Sequence, residues 1–83
     1  MKASGSVEDR LYQTIAEVLG VVPSALSEES SPETIASWDS LNHLNLVMAL
    51  ESEFKIALPV EDALEMRNVA LIQTLLRKHG VEL

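Results

Sequence analysis

Apolar residues recur at helical spacing in three stretches of the chain. Leu11, Ile15, Val18 and Leu19 follow Ser6 and Asp9, which resemble a capping box with Asp in place of the longer Glu, and Gly20 is a natural stop. This predicts a helix over about 7–19. Leu46, Val47, Leu50 and Phe54 predict a second helix over about 41–54. Val69, Ile72, Leu75 and Leu76 predict a last helix, capped by Asn68, with Arg77 and Lys78 suiting its C-terminal dipole and Gly80 ending it. Pro59 permits a further short helix through Met66, with Glu61 and Asp62 in its first turn. Residues 21–38 are left as a long connection, which Val22, Leu26 and Ile35 are expected to pin to the core. A connection of that length is usually functional or contains a turn of its own. The fold class expected is therefore all-α: a small four-helix bundle with three main helices and one short one, spanning 1–83 as a single domain.

The second helix carries more apolar surface than a small bundle can cover. At 100° per residue, Leu41, Leu44 and Met48 form a second stripe, well away from the first. Asn42, Asn45, Ser52 and Glu53 lie on the polar side between the two. One stripe belongs to the core. The other stays at the rim, where Leu and Met beside acidic residues suit a partner-binding face. The plainer alternative is that both stripes are core, one of them lying under the long connection.

Composition narrows the chemistry. With 47% hydrophobic residues but only three aromatics, the core must be mostly aliphatic, which suits helices better than a sheet. Cysteine is absent, so there is no thiol for a disulfide, a thiolate metal site or a nucleophile. No apolar run is long enough to span a bilayer, and no signal-peptide pattern follows Met1, so a cytoplasmic protein without membrane insertion is expected. The opening MKASGS is polar and reads as frayed, with residues 1–5 flexible.

Net charge is −7, which argues against nucleic acid as a partner, because phosphate contacts need clustered Lys and Arg. The distribution says more than the total. Between Arg10 and Lys55 there is no Lys or Arg, while Glu17, Glu28, Glu29, Glu33, Asp39, Glu51 and Glu53 fall in that window. An acidic surface of this kind keeps a small protein soluble. It also suits docking by basic partners.

Those acids bracket Ser40, which stands at the start of the second helix. There the backbone N–H groups are free and the helix dipole favours negative charge. Capping alone explains a serine at this joint. The same position also suits a phosphate ester. Asp39 beside it places a second anion there, which a metal ion or a basic partner would use. His43 lies three residues after Ser40, so a Ser–His nucleophile comes into consideration. No third group orients the pair and no oxyanion site accompanies it, so a histidine packed at a core edge and bonded to a loop carbonyl is the preferred reading. His79 needs no more than a C-cap role. The acidic stretch SEESSPETIASWD lacks the alternating ligands and central glycine of an EF-hand, and no His–acid spacing suggests zinc.

The motif DSL at 39–41, joined to LVMALESEF at 46–54 and IALPVEDA at 56–63, resembles the acyl carrier proteins, and the likeness covers nearly the whole chain. The resemblance implies that Ser40 carries 4′-phosphopantetheine, moved from coenzyme A by a phosphopantetheinyl transferase. Asp39 would help hold Mg²⁺ and orient the hydroxyl. The prosthetic group would then supply the thiol the chain lacks, and the protein would itself catalyse nothing. It would be a monomer presenting an acyl or aminoacyl thioester to loading and transfer enzymes.

In the family, the second helix faces those enzymes, which makes Leu41, Leu44, Met48, Glu51, Asn42 and Asn45 the candidate partner-binding residues. The acyl chain can insert between helices, which makes His43, Val47 and Leu50 the candidate pocket. Fatty-acid carriers usually have acids where Asn42 and Asn45 stand, and Trp38 and His43 are also unlike them. A specialised polyketide, peptide-like or dedicated acyl-transfer pathway is therefore expected. The alternatives are a housekeeping fatty-acid carrier and a carrier-like interaction protein that is never modified.

Overall fold

A computed structural model describes residues 6–83, so the flexible start expected over residues 1–5 lies outside the described residues. The elements run α1 (Val7–Leu19), a single 3-10 turn (Pro23–Ala25), α2 (Ser40–Phe54), α3 (Val60–Glu65) and α4 (Val69–Lys78), with no strand among the described residues. The expected four-helix, all-α architecture is the one observed.

Local signals account for most of the helix ends. The Ser6 hydroxyl accepts the Asp9 N–H, and Gly20 leaves α1 at φ 70°, a left-handed conformation that glycine adopts without steric cost. Asn68 accepts the Leu71 N–H at 2.7 Å and so starts α4. α2 ends differently. Lys55 takes the left-handed position at φ 55°, a place where no glycine marked the stop.

α1 and α2 pack most extensively against each other. Leu11 and Ile15 of α1, Leu46 and Leu50 of α2, Met66, and Val69, Ile72 and Leu76 of α4 are almost wholly buried. An aliphatic core of this kind needs complementary volumes rather than aromatic plates. Arg10 crosses from α1 to the end of α2. Its Nε donates to Glu53 Oε2 and its second terminal nitrogen to the Glu53 carbonyl, both at 2.9 Å, while its guanidinium lies 5.2 Å from the Phe54 ring centre.

The long connection is anchored at points the apolar pattern only partly indicates. Leu26 is buried and Ile35 packs against the core, but Val22 is 63% exposed and pins nothing. The strongest anchor is Trp38, at 2% exposure. Polar bonds complete the attachment. Ser37 Oγ donates to the Leu19 carbonyl at 2.6 Å, joining the loop to the end of α1. The Ser30 and Glu28 carbonyls accept the Val69 and Ala70 N–H groups, meeting donors that the first turn of α4 leaves free. These bonds tie the connection to the end of α1 and to the start of α4.

Candidate functional site

α2 begins with a cap, and the cap is Asp39, whose Oδ1 accepts the Asn42 N–H at 2.9 Å. Ser40 is the first helical residue. From the sequence, capping is expected of Ser40 only. The backbone turns helical one residue earlier, so the carboxylate takes that role. The Ser40 side chain is exposed, and among the described residues its hydroxyl has no hydrogen-bond partner. The N–H groups of Ser40 and Leu41 also have no partner among these residues, as expected of a helix's first turn. An exposed hydroxyl beside unpaired donors can accept an anionic substituent without losing a structural bond.

Ser40 stands on the rim of an open cleft of about 610 Å³. The end of the connection (Pro32, Trp38, Asp39), the start of α2 (Ser40, His43, Leu44) and α3 with its exit (Ala63, Leu64, Met66, Arg67) form its walls. These walls are largely apolar, and Arg67 is the one Lys or Arg among them. Of the three expected pocket residues, His43 lines this cleft. Val47 and Leu50 do not; at 8% and 0% exposure they are packed into the core.

His43 is the hub of the cleft's inner wall. Its Nδ1 lies 3.0 Å from Trp38 Nε1, and its Nε2 lies 2.8 Å from the Ala63 carbonyl oxygen. An indole nitrogen can only donate, so Nδ1 accepts. The neutral ring then carries its hydrogen on Nε2 and donates it to Ala63. The two rings are nearly coplanar, with an interplanar angle of 19° and centroids 6.3 Å apart, as an edge-to-edge bond requires. The carbonyl partner expected for His43 is present, on α3 rather than a loop. Neither ring nitrogen is bonded to Ser40. Trp38 was singled out in the sequence only as unusual. Its position five residues before a histidine, at a loop–helix joint, was the available signal.

The second stripe of α2 is exposed: Leu41 at 68%, Leu44 at 60% and Met48 at 58%. On α3, Leu64, which lines the cleft with Leu44, and Val60 are each 72% exposed, so α3 carries exposed apolar surface as well. No pattern in the sequence signals this extension, because α3 is too short to show a face.

The acids are arranged differently from their order in sequence. Glu17, Glu28, Glu29, Glu33 and Asp39 are exposed. Glu53 is paired with Arg10, and Glu51 accepts the Leu58 N–H at 2.8 Å, which fixes the turn after α2. Glu51, expected among the docking acids, is thus half-buried and already engaged. Asn42 also holds structure: its Nδ2 donates to the Ser37 carbonyl at 2.8 Å, and its Oδ1 accepts from Asn45 at 3.3 Å. A carboxylate at 42 could not make that donation.

α3 is tied to the far end of α4 through Asp62. Its carboxylate is buried, lies 2.7 Å from His79 Nε2 and 3.5 Å from Lys78 Nζ, and is reached from the helix end that His79 terminates. The His79 bond, and then the Lys78 charge, outweigh burial and hold this carboxyl below its ordinary range. His79 therefore does more than end a helix, which a C-cap reading of the sequence did not anticipate.

A family model described as the phosphopantetheine attachment site matches residues 9–76. The chain belongs to this family. It is an acyl-carrier-type phosphopantetheine protein, and 4′-phosphopantetheine, held covalently, is the family's prosthetic group. Members of the family meet phosphopantetheinyl transferases and acyl-transfer enzymes. No helix among the described residues of this carrier is long and apolar enough to cross a membrane.

Proposed function

We propose that Ser40 is the residue to which the prosthetic group is attached, and that the chain carries an acyl or aminoacyl thioester for a specialised pathway rather than for bulk fatty-acid synthesis. The observation that carries the attachment is the division of labour at 39 and 40. Asp39 caps the helix, which leaves the Ser40 hydroxyl exposed and uncommitted. When bound, phosphopantetheine supplies the terminal thiol that forms the thioester. The chain's own part is to present the hydroxyl, to keep unpaired N–H groups beside the new phosphodiester, and to offer Asp39 Oδ2 to a metal ion during loading. Asp39 Oδ1 stays on the Asn42 N–H.

Leu41, Leu44 and Met48 are the docking face in this reading, with Asn45 at its edge. The exposed acids of the connection and α1 would steer basic partners from a distance. The preference for a specialised pathway is supported by the neutral residues at 42 and 45. Glu53 is paired with Arg10, and Glu51 lies in the last turns of α2 bonded to the Leu58 N–H, so no acid of α2 stands in the turns next to Ser40. The protein is proposed to catalyse nothing; both His43 nitrogens are committed to Trp38 and Ala63.

Incubation with coenzyme A, Mg²⁺ and a broad-specificity phosphopantetheinyl transferase tests the attachment by intact mass. Wild type should gain one phosphopantetheine and Ser40→Ala none. A wild type that stays unmodified would leave an interaction protein as the better reading. Transfer by a housekeeping malonyl transferase and ketosynthase as efficient as that of their own carrier would refute the specialised role.

A further inference from the structure

α3 is only six residues long. Its position is set less by its own hydrogen bonds than by the contacts that tie it down. The tie to α2 is the His43–Ala63 bond, which spans the gap between the two helices on the inner wall of the cleft. Val47 and Leu50, one and two turns further along α2, are packed into the core and do not line this cleft. His43 is itself held from the other side by Trp38, whose ring is buried. A group entering the interior between α2 and α3 must displace this hydrogen-bonded chain.

We infer that Trp38, His43 and the Ala63 carbonyl form a bolt that keeps a short acyl group outside the helical core. The bolt rests on Ser40 being the attachment residue, and it assigns this carrier a cargo of short acyl or aminoacyl groups. Opening it orphans the Trp38 N–H and the Ala63 carbonyl, both in a half-dry site where unpaired polar groups are costly. An apolar chain offsets that loss only in proportion to the methylenes it buries. A few carbons are insufficient. His43 is thus a positioning residue that sets a threshold of chain length.

The test uses acyl-coenzyme A donors from acetyl to hexanoyl, so that each acyl group arrives already attached to the arm. Intact mass checks loading, and thermal melting is then compared along the series. A chain that enters the core should raise Tm by on the order of 3–6 °C per buried methylene. Wild type is expected to stay flat within about 2 °C, with unchanged Val47 and Leu50 methyl resonances. His43→Leu, and the milder Trp38→Phe, which keeps an aromatic ring but deletes the donor, should restore the dependence, by roughly 12–24 °C from acetyl to hexanoyl if all four added methylenes are buried. A wild-type series that climbs with chain length would overturn the bolt while leaving the attachment intact. So would two folded variants as indifferent to length as wild type. Absence of any mass gain would overturn both.

Discussion

Leu44 and Leu46 stand two residues apart on α2, and their replacement by alanine should cause opposite failures. Leu46 is fully buried, whereas Leu44 keeps 60% of its surface exposed. A buried Leu→Ala change typically costs about 2–5 kcal/mol, the lost transfer energy plus the cavity left behind. For a chain of this size that lowers Tm by roughly 8 °C at the least. Leu44→Ala leaves no cavity, so its stability should stay within about 0.5 kcal/mol of wild type.

The docking cost runs the other way. Fully burying a leucine is worth about 1.5–3 kcal/mol, so a partner covering the exposed 60% of Leu44 gains roughly 1–2 kcal/mol. That corresponds to a loss of about 5–30-fold in kcat/KM for loading by a transferase that uses this face. Loading is followed by intact mass at a temperature where both variants are folded, and stability is measured by thermal melting. Leu46→Ala should load near the wild-type rate while melting early. If Leu44→Ala loads at the wild-type rate, the exposed stripe is not the docking face. If it melts as early as Leu46→Ala, the assignment of the two stripes is itself wrong.

Two further changes probe the surroundings of the site. Asn42→Asp removes the donation to Ser37, a bond worth about 1 kcal/mol, and sets a carboxylate against a carbonyl oxygen. The helix dipole returns at most about 1 kcal/mol, and Asp39 already occupies that end, so a net Tm loss of roughly 4–8 °C is expected; a Tm equal to or above wild type would refute the structural role of the amide. Asp62 has a folded-state pKa below its ordinary 3.8, so its contribution to stability is fully present above that value and is lost as pH falls through the lower one. Melting curves from neutral pH into acid should show this loss in wild type and a shallower decline in Asp62→Asn; parallel declines would contradict it.

The helices were legible because their signals are local. Ser6, Gly20 and Asn68 bond within a few residues of their own position, so α1 and α4 begin and end where short-range chemistry dictates. The two stripes of α2 were legible for a related reason, since helical geometry separates Leu46 from Leu44 whatever lies around them. Val22 shows the limit. An apolar residue in an irregular segment carries no periodicity, and its exposure depended on which way the chain happened to turn. Lys55 shows another: a left-handed cap on a non-glycine residue is held by its surroundings, here the Glu51 carboxylate gripping the Leu58 N–H just beyond it.

The sequence by itself determined that the chain is a small helical bundle with an acidic surface, a spare apolar stripe and a serine at the mouth of α2. These arise from periodicity, capping and charge, all of which act over a few residues. Only the tertiary structure decided that Asp39 rather than Ser40 caps the helix, that Glu51, Glu53 and Asn42 are spent on internal bonds, and that Trp38 and His43 fasten α2 to α3. Each of these depends on which distant backbone group arrives within hydrogen-bonding reach, and that is settled by packing and not by spacing along the chain.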